Sequence, residues 1–200
     1  MKVIGVIGQN GSGKDEVLKY LRAEYNIPFL ATGDIVREIA AKEGLEPTRE
    51  NLGEISARYF REQGRGCFVM MAADKIRQNE WQLAGISGIR SLDDVTALRK
   101  YFGNDFILTH VFVTDPRVRY QRMTRRGEGR DPKSYEQFLQ QDKAEEELFH
   151  IKEAEKYARY SLCNDGAMAY LHRDIEKVMG KIVLKATGIE PLSENTGDMP

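Results

Sequence analysis

The sequence has few cysteines, almost no net charge and no long apolar run. Cys67 and Cys163 are its only cysteines, and their wide separation excludes a disulfide framework or a cysteine zinc site and suits a reducing cytoplasm. The formal net charge is −1, which argues against a general nucleic-acid or membrane-surface binder. No apolar segment approaches the roughly 18–20 residues of a transmembrane helix. The apolar run at residues 3–7 is also too short for a signal-peptide core. We therefore expect a cytoplasmic protein with no nucleic-acid or membrane partner.

Short apolar runs alternate with longer amphipathic segments along the chain. The short runs predict five strands, at residues 2–7, 27–31, 82–87, 106–113 and 160–163. Helical spacing of apolar residues separates them, with one of these helices beginning near Ile35. Strands alternating with helices imply βαβ units and a mostly parallel sheet. The sequence therefore predicts an α/β fold in one domain over residues 1–188, followed by a flexible acidic tail over 189–200.

A glycine-rich segment follows the first predicted strand and precedes the first helix. It has the pattern G-x-x-x-x-G-K from Gly8 to Lys14. Glycines let the chain wrap so that successive N–H groups point at an anion, and the helix N-terminus adds positive potential. The lysine of this motif reaches the β- and γ-phosphates. The pattern predicts an ATP-binding phosphate loop with contacts from Gly8, Asn10, Gly11, Ser12, Gly13 and Lys14.

Asp15 occupies the position where this motif usually has the Ser or Thr whose hydroxyl binds Mg²⁺. A carboxylate is a better magnesium ligand by charge, but it lies beside phosphate oxygens. At ~5 Å and an effective dielectric near 20, each like-charge pair costs a few kcal/mol. We therefore predict that Asp15 contacts ATP and the metal, and that nucleotide binding depends unusually strongly on Mg²⁺. The alternative is that Asp15 only caps the helix while a water bridges to the metal.

The second predicted strand leads into Thr32, Gly33, Asp34 and, three residues later, Arg37. This segment resembles the T-G-D-x-x-R segment of adenylate kinase and related nucleoside monophosphate kinases. The resemblance implies that Thr32 and Gly33 lie near the acceptor nucleotide and that Arg37 grips its phosphate, a role that suits a guanidinium. It also implies that Asp34 orders the water shell of magnesium as a catalytic and metal-site residue. The alternative for Arg37 is a solvated surface arginine.

The third predicted strand leads into the motif G-I-R-S, which contains Gly88 and Arg90. In the same kinases this strand end carries a glycine and an arginine that face the acceptor phosphate, so both residues are candidate acceptor contacts. Ser87 stands where related kinases commonly have an Asp. That departure puts the usual metal-binding carboxylate in doubt, and we hypothesise that Asp15 and Asp34 replace it.

A predicted helix over residues 116–126 carries five arginines, and glycines with a proline then break the chain. This arrangement resembles the lid of nucleotide kinases, which brings arginines over the phosphates. Arg122 and Arg126 lie one helical turn apart and therefore share a helix face, and both are predicted to be catalytic. Arg122 is also predicted to bind ATP. Arg130 is the next candidate for a catalytic arginine. The alternative is a solvated basic face. A solvated face is also what we expect of the acidic residues 145–147.

Asn164 begins the motif N-D-G after the fifth predicted strand. In kinases of this type the loop there often borders the donor adenine through backbone groups, so Asn164 is a candidate ATP contact. The alternative is a turn rich in turn-forming residues.

These motifs occur in the order expected of a nucleotide kinase and cover about residues 1–186. In this order, and in the stretch 141–148, the chain resembles an archaeal-type group of nucleotide-kinase-like proteins described as dephospho-CoA kinase-like or adenylate kinase-like. The resemblance implies a P-loop NTPase three-layer sandwich with a five-stranded parallel sheet. It also implies a helical acceptor-binding insertion at about 35–80 and an arginine-rich lid at about 117–135.

The function expected from these features is ATP- and Mg²⁺-dependent phosphoryl transfer to a small nucleotide-like acceptor, with a nucleoside monophosphate as the leading candidate. Transfer to dephospho-CoA is the close alternative. A rival of another class is a non-catalytic nucleotide sensor, which the unusual Asp15 and Ser87 motivate. The absence of the guanine motif N-K-x-D and of the signature L-S-G-G-Q disfavours a GTPase switch and a transport ATPase.

Overall fold

A computed structural model describes residues 1–127 and 131–187 of the chain. Its strands are β1 (Lys2–Ile7), β2 (Phe29–Ala31), β3 (Leu83–Ser87), β4 (Phe106–Phe112) and β5 (Tyr160–Cys163). They form one sheet in the order β2-β3-β1-β4-β5, and every neighbouring pair is parallel. This confirms the predicted five-stranded parallel sheet.

Helices connect consecutive strands and cover both faces of the sheet. They are α1 (Lys14–Tyr25), α2 (Thr32–Lys42), α3 (Arg49–Gln63), α4 (Cys67–Gln78), α5 (Leu92–Phe102), α6 (Pro116–Arg126), α7 (Tyr135–Phe149), α8 (Ile151–Glu155) and α9 (Met168–Thr187), with a 3₁₀ turn at Gly103–Asp105. Within the described part of the chain, no helix combines the length and apolar character needed to cross a membrane.

The core lies in two layers, one on each face of the sheet. Val3 and Ile7 of β1 pack into a cluster with residues of α2, α4 and α5. Ile4 and Val6 point the other way, into a cluster with residues of α1 and α9. Because side chains alternate along a strand, a continuous apolar run such as β1 fills both layers. The result is the predicted three-layer α/β sandwich.

Local signals placed most helix starts correctly. The hydroxyl of Ser91 accepts from the Asp94 N–H at 3.2 Å, and the Asp94 carboxylate accepts from the Ser91 N–H at 3.0 Å, which completes the capping box. Asp115 caps α6 and is followed by proline at the first helical position. The predicted strand 27–31 is shorter than expected and begins at Phe29, because Pro28 has no N–H for the ladder.

Two further details differ from the sequence prediction. Helix α2 begins at Thr32 rather than near Ile35, so the T-G-D segment forms its first turn. Helix α8 was not predicted. His150 adopts a left-handed conformation, with φ of 51°, which ends α7 and allows α8 to begin at the next residue. The predicted insertion at 35–80 corresponds to most of α2 and all of α3 and α4. The predicted lid residue Arg130 and the predicted tail at 189–200 lie outside the described residues.

Candidate functional site

The phosphate loop, residues 8–14, passes between β1 and α1 in very close contact with neighbouring backbone. Gly11 has φ of +78°, and a Cβ there would lie 2.7 Å from the carbonyl oxygen of Arg119. Gly13 has φ of +94°, and a Cβ there would lie 2.2 Å from Nδ2 of Asn164. Gly8 packs against the backbone of Val111 in β4. Both left-handed positions therefore require glycine, and the loop keeps the wrapped form expected of an anion cradle.

Two polar side chains of this loop stand out. Ser12 is fully buried, and its Oγ has no hydrogen-bond partner among residues 1–127 and 131–187. The Nζ of Lys14 donates to the carbonyl of Gln9 at 3.4 Å, a long contact. Burial lowers the pKa of Lys14, while the nearby carboxylates of Asp15 and Glu145 act in the opposite direction. The ammonium group thus lies at the loop within electrostatic reach of several other charged groups.

Arg119 ties α6 and α7 to the phosphate loop. Its side chain is buried and donates to both carboxylate oxygens of Asp142 in α7, at 2.7 and 2.8 Å. The same guanidinium donates to the carbonyl of Asn10 at 3.1 Å. Arg119 is one of the five arginines of this helix, and the sequence alone predicted no separate role for it. Its spacing of three residues from Arg122 is the signal that puts both on one helix face.

Asn164 and Arg122 hold the other side of the loop. The side chain of Asn164 is buried, and its Nδ2 donates to the carbonyl of Ser12 at 2.8 Å. Arg122 donates to the carbonyl of Asn164 at 2.7 Å, and burial lowers the pKa of its guanidinium. Asn164 thus does more than form a turn, since it joins the loop, the end of β5 and α6. Contacts of these two residues with ATP remain predictions.

Glu145 corrects the expectation of a solvated acidic face at residues 145–147. Its side chain is only 12% exposed. One carboxylate oxygen accepts from Nδ2 of Asn10 at 2.6 Å, and the other accepts from Arg90 at 3.1 Å. Phe138 and Phe149 lie on the same face of α7, seven and four residues away, and pack inward. That spacing is the signal that could have placed Glu145 inside the site.

Four of the five predicted acceptor contacts in α2 and after β3 come together around one cavity. Thr32 Oγ1 donates to the carbonyl of Gly88 at 3.3 Å, which joins the two segments directly. With Gly33 and Arg90, these residues line a cavity of about 180 Å³. The remaining lining residues are Val36, Ser56, Phe60, Arg65, Phe68, Ser91, Asp94 and Phe149.

A second cavity of about 760 Å³ adjoins the first and reaches the phosphate loop. Asn10 lines it from the loop, and Arg90 lines both cavities. Arg37 and Arg126 also line the larger cavity, together with Asp131, whose carboxylate accepts from Nε of Arg126 at 3.1 Å. Predicted residues from the loop, from α2, from the segment after β3 and from α6 therefore share one cleft.

The two predicted metal ligands, Asp15 and Asp34, are both exposed to solvent. Asp15 lies exposed in the first turn of α1. The N-cap of this helix is Gly13, so Asp15 occupies the second helical position and not the cap. The side chain of Asp34 is 61% exposed and pairs with Arg37. No group of three or more His, Cys, Asp or Glu suited to a metal occurs in the described ranges. Since Mg²⁺ in nucleotide sites takes one or two carboxylates plus phosphates and water, both aspartates remain predicted ligands.

The chain is similar to a known family model, to archaeal relatives and to solved kinase structures. A family model described as an AAA domain matches residues 7–138. A UPF0200 protein of Pyrococcus abyssi is 36% identical over 183 residues, which cover 90% of this chain and 97% of the relative. Shikimate kinase from Acinetobacter baumannii, solved in complex with shikimate, matches with a TM-score of 0.58 at 15% identity, covering 94% of this chain and 96% of its own.

A gluconokinase from Sinorhizobium meliloti 1021 matches with a TM-score of 0.56 at 14% identity, covering 92% of this chain and 97% of its own. At such low identities these structural matches show the fold alone. That fold is the P-loop kinase fold, which confirms the fold class expected from the sequence.

Proposed function

This chain belongs to the UPF0200 family, and from that premise we propose that it transfers the γ-phosphoryl group of ATP, with Mg²⁺, to a small nucleotide-like acceptor. The observation that carries the proposal is the cleft itself. A single cavity is lined by Asn10 of the phosphate loop and by Arg37 and Arg90, the candidate acceptor clamps. Donor phosphates on the loop and an anionic acceptor in the cleft would therefore meet.

The phosphate loop fits a nucleotide on two observations. Its glycine cradle admits no Cβ at Gly11 or Gly13, and buried polar atoms of Ser12 and Arg122 have no hydrogen-bond partner within the described residues. Buried polar groups are normally satisfied, so such atoms point to a ligand that supplies the partner. Lys14 would bind the β- and γ-phosphates, as the lysine of this motif does.

The residues of the cleft supply the chemistry of transfer. Phosphoryl transfer leaves little covalent chemistry to a protein, which acts mainly by positioning and by neutralising charge. Arg90 and Arg126 would orient the acceptor and stabilise charge on the transferred group. Bound Mg²⁺ would neutralise charge on the β- and γ-phosphates, with Asp15 and Asp34 as the candidate residues that hold it or its water shell.

Two kinds of nucleophile suit a nucleotide-like acceptor. A nucleoside monophosphate, the acceptor favoured by the T-G-D-x-x-R resemblance, would attack through a phosphate oxygen. An acceptor such as dephospho-CoA would attack through a hydroxyl group. Both carry anionic groups that Arg37 and Arg90 would recognise.

Transfer from labelled ATP and Mg²⁺ across a panel of nucleoside monophosphates, nucleosides and dephospho-CoA tests the proposal. We expect transfer to one acceptor class, and a loss of at least about 100-fold with Lys14→Ala, because one well-placed charge on the transferred group is worth that much. Lys19→Ala is the matched control, since Lys19 lies on the same helix with its side chain 64% exposed. Tight ATP binding with no transfer to any acceptor would instead establish a nucleotide sensor.

A further inference from the structure

Asp15, Asp34 and Glu145 are three carboxylates of the candidate site, and they differ sharply in environment. Asp15 is exposed, and Asp34 is 61% exposed and paired with Arg37. Glu145 is 12% exposed and is bonded to the loop through Asn10 and to the acceptor side through Arg90. A carboxylate withdrawn from water is a stronger hydrogen-bond acceptor than one that water already saturates. Of these three, Glu145 is therefore the best placed to act on a bound acceptor.

The geometry around Glu145 is that of an oriented base. Asn10 and Arg90 hold one oxygen each, which fixes the plane of the carboxylate. An ionised carboxylate offers about four acceptor positions, so two remain for a further donor. Glu145 also lines the cavity that Asn10 and Arg126 line. A hydrogen-bond donor bound in the cleft would therefore meet a carboxylate oxygen whose position the protein already sets.

This carboxylate discriminates between the two nucleophiles. A phosphate oxygen is already ionised, needs no base, and would be repelled by a neighbouring carboxylate. A hydroxyl group must lose its proton during attack, and it would donate a hydrogen bond to the same carboxylate. Resting on the proposed function, we propose that Glu145 is the catalytic base of this site and that the acceptor is a nucleotide-like molecule that reacts through a hydroxyl group.

The step balances without any further reactant. The acceptor oxygen forms a bond to the γ-phosphorus, and the bond from that phosphorus to the β,γ-bridging oxygen breaks. The hydroxyl proton moves to the carboxylate of Glu145, and ADP leaves with the electrons of the broken bond. Glu145 then returns its proton to solvent, and the acceptor departs as a phosphate ester.

The charged groups that face Glu145 come from several elements. Lys14 of α1 lies close enough for the two charges to interact, and Arg90 follows β3. Arg37 of α2, Arg126 of α6 and Asp131 line the same cavity. A hydroxyl group bound beside Glu145 would therefore meet both cations and a carboxylate of the same cavity.

The experiment uses the full chain with ATP, Mg²⁺ and acceptors that offer a hydroxyl, a phosphate or both. Phosphorus-31 NMR of the product separates a new phosphate ester from a new phosphoanhydride. We expect an ester, and we expect Glu145→Gln to lower kcat by about 10²–10⁴-fold, the usual contribution of general-base catalysis. Because the base acts when deprotonated, kcat of the wild type rises with pH up to a plateau. Glu145→Gln should lose that acidic limb while the KM for ATP stays unchanged.

Matched variants separate catalysis from structure. Glu147→Gln changes a side chain on the same helix that is 67% exposed, and it should behave as wild type. Glu145→Asp keeps a carboxylate and should retain both partial activity and the acidic limb, which decides the matter even if Glu145→Gln does not fold. Thermal denaturation followed by circular dichroism checks the folding of each variant.

The outcomes separate this inference from the proposed function. A phosphoanhydride product would overturn the inference and leave phosphoryl transfer intact. An ester product with an unchanged acidic limb in Glu145→Gln would remove the base role in the same way, because a residue that only holds structure does not move a pH profile. ATP binding with no transfer to any acceptor would overturn both.

Discussion

Removing the buried guanidinium of Arg119 should strongly destabilise the fold. Its side chain is 3% exposed and forms a bidentate pair with Asp142, at 2.7 and 2.8 Å, while the Asp142 side chain is 18% exposed. Arg119→Ala leaves that carboxylate largely buried without its partner. It also removes the donor to the carbonyl of Asn10. The perturbation therefore acts at the junction of α6, α7 and the phosphate loop.

The expected loss follows from the burial of the pair. Removing one partner of a buried ion pair costs about 3–5 kcal/mol, because the remaining charge is left uncompensated. For a chain of this size each kcal/mol lowers Tm by roughly 2–4 °C. Arg119→Ala should therefore lower Tm by about 6–20 °C. Urea denaturation, with an unchanged slope against denaturant, measures the free energy of unfolding directly.

Two comparisons show whether the buried charge is the cause. Arg125→Ala removes an exposed arginine from the same helix and should change stability by no more than about 0.5 kcal/mol. The double variant Arg119→Met with Asp142→Leu removes both charges and should recover much of the loss, since an apolar pair can replace a buried ion pair. A loss below about 1 kcal/mol in Arg119→Ala would refute this reasoning.

Two further changes test the phosphate loop. Asp15→Ser should reduce the dependence of ATP affinity on Mg²⁺, because it removes a carboxylate that only the metal screens from the phosphates. Titrations of ATP with and without Mg²⁺ measure this dependence. An equal dependence in the wild type and the variant would contradict the prediction. Gly13→Ala should destabilise the fold by roughly 2–5 kcal/mol, since left-handed backbone costs about 1–2 kcal/mol and loss of the Asn164 contact with Ser12 costs about 1–3 kcal/mol. Thermal melts check this prediction, with Gly53→Ala as control because a Cβ at Gly53 meets no atom within 4 Å.

Features determined by neighbouring residues were predictable from the sequence. The glycine pattern at residues 8–14 places a strand, a loop and a helix in order, and the structure has all three. Ser91 and Asp94 close a capping box within four residues of chain, so their pairing needs no knowledge of the fold. The five strands could be found from short apolar runs. The clearest case is β1, which is buried on both faces and therefore forms a continuous apolar run.

Contacts between distant segments were not predictable in the same way. Asn10 and Glu145 are 135 residues apart, and Arg119 and Asp142 belong to different helices. A single sequence shows that such residues carry charge, but it does not show which charges meet. The order of strands in the sheet was unpredictable for the same reason. The sequence indicates parallel strands, but long-range packing determines which strands are neighbours.

The arginines of α6 show what decides the role of a charged residue in this fold. Five of them share one helix and one sequence signal, yet the buried Met123 fixes which face turns toward the protein. Arg119 and Arg122 lie on or beside that face and bond to the phosphate loop and to the end of β5. Arg126 comes a turn later and reaches the acceptor cleft, while Arg125 lies exposed. Helical phase, and not the number of arginines, therefore separates the three that turn toward the loop and the cleft from the exposed Arg125.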